Sequence, residues 1–545
     1  MEFFMLDRPV RCSRAPMLYG TTSSTPSDIN SGPPIGNHLA KFDLTSLPLE
    51  IIDNILINLS QFDLLRLCRT CYKMHELCNP FLYHHIIIDP QFNIFANEYR
   101  LAGRTYINSS FNLKRFIKTF NKTSTDSNHV YSIHCKSLPE SLNLHDHQLK
   151  QGLVQLFGKL RHLNSLIWLD DQFSIELLKL LPQKHLLNTL VLNLNFCSHL
   201  IDTDEDVKRG DISKFNFPNL INFQIKPFQN WSKLIQLIDV ILINVNDAGQ
   251  ISKQLQELSF SGQFFATNVI ETIFLDTSLQ YLSSLTSLSL NDSTVTTFDA
   301  KNLSQMVDLS KLKFLQLRQI IEMGYDENLQ RSFLIQLSSS LLCLRHLSLE
   351  IEEYRDTIAE FLLSIPPKLT SLDIFSTTEQ PIELAQSIAK HNQLKKLSCK
   401  IYLSADDRLY NAPPEFYSAL IPLNLTSLRI CSTANIQGLV NLLSSQRKLK
   451  YLDIVGANHA GAPNLGFGMV HPTVYDEWYK VQHEVLFYLS SNSNMEYIRY
   501  DDCIFQCKPD ISVNPRGDLN TWFEEQVRVF CTLGLPEKRR HSWYQ

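Results

Sequence analysis

The chain is 545 residues long, 44% hydrophobic and 19% charged, with a formal net charge of −5. That length is several times an average domain, so the chain holds either domains in series or one long repeat array. The slightly acidic balance excludes a global attraction to nucleic acid or to an anionic membrane, and only seventeen glycines in this length weigh against a Gly-rich nucleotide-binding enzyme.

Residues 1–40 are rich in Ser, Thr, Pro and Gly and read as a disordered lead. They lack a basic start followed by an apolar run, so no secretory signal is expected, and Glu2 breaks the myristoylation pattern. Residues 41–88 form the next unit. Pro48 suits a first helical turn, and Glu50 complements the positive end of the helix dipole. Ile51, Ile52, Ile55, Leu56 and Leu59 follow at helical spacing. Asp63 is placed to cap a second helix bearing Leu64, Leu67, Cys68, Cys71 and Met74. Asn79-Pro80 should break that helix and leave "FLYHHIII" (81–88) extended. Residues 89–129 read as a connecting helical segment.

From residue 130 to about 510 one phrase recurs: apolar, two residues, apolar, one residue, apolar. Strict copies start at Leu187, Leu220, Leu255, Leu285, Leu312, Leu344, Leu369, Leu394, Leu425 and Leu449, at steps of 24 to 35 residues. Looser copies start at Val130, Leu163 and Met495. The alternation that ends the phrase suits a short half-buried strand. Segments between copies have helical spacing, with Ile382, Leu384, Ala385, Ile388 and Ala389 on one stripe and Ile436, Leu439, Leu442 and Leu443 on another. Strand plus helix at this step predicts an α/β solenoid of parallel strands with outer helices, in which each unit buries its apolar side on its neighbours. Residues 511–545 are left as a C-terminal cap or tail. The most apolar interior run, "LIQLIDVILINV" (234–245), is too short to span a bilayer and contains Asp239.

At these residues the chain resembles an F-box protein with leucine-rich repeats, of the kind common in fungi. The F-box resemblance covers roughly 44–83 and rests on "LP-x-EI-x-x-x-IL-x-x-L", "DLL-x-L-x-x-x-C" and "NPFLY". The repeat resemblance covers most of the remaining chain, although few copies carry the polar residue that usually closes the strand; Asn195 is one that does. The resemblance implies a small three-helix F-box ahead of a leucine-rich-repeat solenoid. It also implies docking on the Skp-type adaptor of a cullin-RING (SCF) ubiquitin ligase through Leu47, Pro48, Ile51, Ile52, Ile55, Leu56, Leu64, Leu67 and Cys71. The physical reading agrees, because three short helices in forty residues cannot hide so wide an apolar stripe among themselves. The alternative is that these helices cap the repeats and cover the surplus internally.

The other constellations are weak. Cys68, Cys71, His75 and Cys78 suggest zinc, but on one continuous helix Cys68 and Cys78 would be separated by about 15 Å of rise, too far for one ion. The Gly-rich stretch 456–472 lacks the Lys or Ser/Thr of a phosphate loop and reads as an inserted surface loop. The twelve scattered cysteines read as reduced thiols of a cytoplasmic or nuclear protein. No nucleophile, base and orienting residue form a recognisable set, so the expected protein is not an enzyme and takes no cofactor.

The expected function is substrate recognition in an SCF ubiquitin ligase, the F-box binding the adaptor and, through it, a cullin, while the repeats bind a target protein. The alternative is an adaptor-binding protein or repeat scaffold that acts outside a ligase. Residues alternating with the buried apolar ones would line the concave face. The middle copies offer Ser287, Ser289, Asn291, Phe314, Gln316 and Arg318. The later ones offer Lys396, Lys400, Arg429, Tyr451, Tyr497 and Arg499, rich in the types that anchor interfaces, with Asp373 and Asp453 in the same column as Arg429. Target docking is expected on this later set, roughly Lys396 to Arg499.

Overall fold

The structure is a computed structural model that describes residues 44–90, 103–122, 126–139, 142, 147–170, 172–173, 176–193, 217–226, 241, 253–262, 268–275, 281–323, 332–352, 357–378, 380–402, 412–431, 436–455, 485–500, 503–507, 514–515, 523 and 526–527. The expected disordered lead, the Gly-rich stretch 456–472 and most of 511–545 lie outside the described residues.

Three helices open the described chain after a single 3-10 turn: α1 (Leu49–Leu56), α2 (Gln61–Cys68) and α3 (Tyr72–His84). Ser60, rather than Asp63, caps α2, its hydroxyl accepting from the Asp63 N–H at 3.2 Å. Asp63 instead sits in the first turn, where a carboxylate complements the dipole, and pairs with Arg66 at 3.3 Å. Cys71 starts α3 the same way, its sulfur accepting from the Met74 N–H at 3.4 Å. The expected break at Asn79-Pro80 does not occur: α3 runs through Pro80 to His84. Proline there forgoes one bond to the Glu76 carbonyl. Glu76 is exposed, so water can serve that acceptor, while Cys78, Leu82 and Tyr83 fix the last turns in the core.

The helix passes directly into β1 (His85–Ile88). The span read as a connecting helical segment contributes a strand as well as a helix, β2 (Thr105–Ile107) and α4 (Ser110–Lys122). β1 pairs in parallel with β2 on one side and with β3 (Ser132–Cys135) on the other. Parallel pairing then proceeds strictly in sequence order. It runs through β4 (Ser165–Trp168), β5 (Thr189–Asn193), β6 (Asn222–Lys226), β7 (Glu257–Ser261), β8 (Ser287–Val295) and β9 (Phe314–Glu322). It continues through β10 (His346–Glu352), β11 (Ser371–Thr377), β12 (Lys396–Tyr402), β13 (Ser427–Cys431), β14 (Tyr451–Val455) and β15 (Tyr497–Tyr500). Two antiparallel strands follow, β16 (Cys503–Gln506) and β17 (Asn514–Pro515).

Each copy of the recurring phrase starts its strand two residues after its first apolar residue, Leu285 before Ser287 and Leu425 before Ser427 for example. Helices α5 (His147–Phe157), α6 (Glu176–Lys179), α7 (Asp299–Met306), α8 (Phe333–Ser338), α9 (Ile358–Ser364), α10 (Pro381–Ala389), α11 (Pro414–Leu420) and α12 (Ile436–Ser445) lie between strands. Their apolar stripes meet the phrase's apolar residues: Leu384, Ala385 and Ile388 of α10 and Leu439, Leu442 and Leu443 of α12 are buried, whereas Ile382 and Ile436 stay exposed. A continuous core runs from Ile52 of α1 to Cys507 beyond β16.

Strands β8 and β9 are longer than their neighbours because they continue past a bulge. Asp292 and Gln319 adopt φ of 53° and 54°, and the β8–β9 register steps over both, from Asn291 opposite Arg318 to Ser293 opposite Ile320. The bulge brings the Asp292 backbone onto Gly262, whose N–H donates to the Asn291 carbonyl at 2.8 Å. A Cβ at Gly262 would lie 2.5 Å from the Asp292 carbonyl oxygen and 3.0 Å from Val269 Cγ2. Backbone cannot yield as a side-chain tip can. Gly262→Ala should therefore destabilise the chain by about 1–3 kcal/mol, visible as a lower urea midpoint; an unchanged midpoint would show that the bulge is not rigid.

Candidate functional site

Two surfaces carry the expected binding residues. The first is on the N-terminal helices. Leu64 and Cys68 of α2, and Met74, Cys78 and Leu82 of α3, recur every four residues and face inward with Ile52 and Leu56 of α1. Three of the expected adaptor contacts, Ile52, Leu56 and Leu64, are thus 2%, 0% and 1% exposed and belong to the core. Leu47, Ile55 and Leu67 are half-buried, and Pro48, Ile51 and Cys71 are exposed. The residues sequence reasoning missed are Leu49, 56% exposed, Ile57, 54%, and Tyr72, 76%, which sit outside on α1, just after it and at the start of α3. Spacing alone did not signal Leu49, which lies three and seven residues before Ile52 and Leu56, on their side of α1, and is exposed at the helix's first residue.

The helices are tied to the sheet as well as to each other. The buried Gln61 side chain accepts from the Tyr106 N–H of β2 at 3.0 Å, and the Thr105 hydroxyl donates to the Leu82 carbonyl. Cys68 and Cys78 are not separated along one helix. The turn after α2 folds α3 back, and the two thiols share a hydrogen bond that, with burial, pushes the Cys78 thiol up. Among the described residues, no group of three or more His, Cys, Asp and Glu side chains is placed to hold a metal ion.

The second surface is the sheet face opposite the buried phrase leucines. Register places Ser289, Gln316, Ser348, Asp373, Ser398, Arg429, Asp453 and Arg499 in one column across successive strands. These side chains largely satisfy one another. Ser289 donates to Gln316 at 3.1 Å, Asn291 donates to Ser289 at 3.1 Å, and Arg318 reaches over Ser348, at 3.1 Å, to pair with Asp373. His346 stacks on Phe314 with centroids 4.2 Å apart. Its imidazole is held neutral, at about 4, by burial and then by the nearby Lys396 and Arg345.

At the C-terminal end the two arginines among the expected anchors are buried. Arg429 and Arg499 are only 4% and 2% exposed, and both bind Asp453. Arg429 Nε donates at 2.5 Å, and Arg499 donates through Nε at 2.9 Å and Nη2 at 2.5 Å. Burial pushes the Asp453 carboxyl up, but the two guanidinium groups outweigh it and hold it at about 2. Tyr451 and Tyr497 are half-buried and stack at 6.2 Å, while Lys396 and Lys400 are half-buried. The Arg and Tyr residues are thus brought together, but as a packed cluster rather than an open patch.

Residues 44–89 match the F-box-like family, so the three helices and β1 form an F-box-like domain at the head of the sheet. No curated protein matches the chain.

The charge triad has a measurable signature. The folded carboxyl of Asp453 titrates below the unfolded value of about 3.9, so its stabilising contribution is complete above about pH 4 and is lost as the pH falls through about 2. Asp453→Ala leaves two arginines buried without their counter-charge and should cost about 3–5 kcal/mol. It should also remove the part of the acid destabilisation seen between pH 4 and pH 2; a variant with wild-type stability and an unchanged acid limb would show the triad to be energetically idle.

Proposed function

We propose that this protein is a substrate-recognition subunit of an SCF ubiquitin ligase. The F-box-like domain docks on a Skp-type adaptor and, through it, a cullin. The parallel-sheet region, read as a leucine-rich-repeat solenoid, receives the target protein. The observation that carries the reading is the coincidence of the F-box-like match at 44–89 with Pro48, Leu49, Ile51 and Ile57 exposed on or beside the first helix of that segment. F-box domains generally bind Skp-type adaptors, and apolar residues left outside on and beside a short helix are what such docking requires. No helix among the described residues is long and apolar enough to cross a membrane. We read the chain as a binding protein of the cytoplasm or nucleus, without a catalytic step of its own.

Because Ile52, Leu56 and Leu64 support the fold, the informative substitutions are on the outer face. Leu49→Glu together with Ile51→Glu should weaken capture of purified adaptor by at least roughly thirtyfold, about 2 kcal/mol or more, with circular dichroism unchanged. Retained capture would place the contact elsewhere. Recovery of cullin along with the adaptor supports the ligase role, whereas adaptor without cullin supports action outside a ligase.

A further inference from the structure

On the sheet face of the last parallel strands, Tyr451 and Tyr497 pack against Phe523 and Val527 of the chain's own C-terminal part. Phe523 is 0% exposed and Val527 2%, and with Ile504 of β16 they form a small core separate from the main one, against which Tyr451 and Tyr497 pack. The Arg499 guanidinium lies 4.9 Å from the Phe523 ring centroid, and Tyr451 meets that ring edge-on at 6.3 Å. A stacked tyrosine pair beside a buried arginine accepts an aromatic ring by its edge and by its face at once. The triad beside it, two arginines against one aspartate, carries one net positive charge.

The geometry points to Tyr451, Tyr497 and Arg499 as an aromatic-accepting subsite that Phe523 fills in cis, and that a partner peptide presenting an aromatic side chain takes over. This rests on the reading that the sheet face receives the target. It goes further in naming the chemistry of the ligand and the element that keeps it out. The burial of Arg499 under Phe523 then describes a closed state of the target surface. A tethered segment competes at a high effective concentration, so a free peptide gains the site only when the tethered ring is removed or outcompeted.

The test uses the full chain and a labelled synthetic peptide of residues 519–529 as the probe, followed by fluorescence anisotropy. Phe523→Ala should bind the peptide at least about tenfold more tightly than the unaltered chain does. Phe523→Leu, which keeps an apolar side chain but no ring, is measured in parallel and should also admit it. A peptide with alanine in place of the phenylalanine should bind neither variant. Equal peptide binding by the unaltered chain and both variants, no binding by either variant, or undiminished binding of the alanine peptide would each overturn the subsite. Adaptor capture, measured on the same samples, reports on the receptor reading separately and should not change with Phe523.

Discussion

The architecture depends on one backbone contact made again at every strand. The second and third residues of each recurring phrase both point their N–H groups at a single carbonyl of the preceding phrase. Asn164 and Ser165 donate to Tyr131, Asn188 and Thr189 to Asn164, and the chain of contacts continues through Gln256, Thr286, Lys313, Arg345, Thr370, Lys395 and Thr426 to Lys450, which accepts from Glu496 and Tyr497. Each accepting residue is itself a donor to the one before. The ladder fixes register before any side chain is considered. It places the first apolar residue of each phrase under the same turn, and sends the fourth and sixth into the same layer. A parallel sheet built this way has no slack for a one-residue slip, since a slip would turn the whole apolar set onto the open face.

That constraint explains how a forty-residue helical unit can be stable at the head of so long a sheet. The F-box-like domain does not close a core of its own. Its buried residues continue into the core of the sheet region, and α3 passes without a loop into β1. Gln61 and Thr105 then satisfy backbone groups across the junction. With Ile52, Leu56, Leu64, Cys68 and Cys78 committed inward, Ile51 is turned outward by helical geometry, while Leu49 and Ile57 stand exposed at the two ends of α1. The exposed apolar surface is therefore presented by a rigidly seated helix, which lowers the ordering cost of docking.

Much of this was legible in the sequence for a physical reason. Leu-x-x-Leu-x-Leu states both the strand period and the side that must be buried, so strand positions followed from the phrase, including the loose copies at Val130, Leu163 and Met495. Local competition was less legible. Ser60 and Asp63 are both good caps three residues apart, and only the turn geometry shows that Ser60 takes the role. Pro80 signals a break, but burial of Cys78, Leu82 and Tyr83 outweighs one missing hydrogen bond. The distance argument against a Cys68 and Cys78 contact assumed one helix where there are two. On the N-terminal surface, residue type identified the apolar set, but which members face out depended on packing against strands far along the chain.

The sheet face shows why composition misleads in a stacked column. Neighbouring side chains in one column stand about 4.8 Å apart, so a charged residue there is constrained first by the strands beside it. Arg429, Asp453 and Arg499 alternate in sign across β13, β14 and β15, and each arginine finds its partner one strand away. Arg318 reaches two strands to Asp373, because the intervening Ser348 is short enough to be bridged. Like charges on adjacent strands would repel at low dielectric, so the order of charges answers to the sheet before it answers to any ligand. Flanking the column at its C-terminal end are the rings of Tyr451 and Tyr497, paired across β14 and β15 and stacked with centroids 6.2 Å apart.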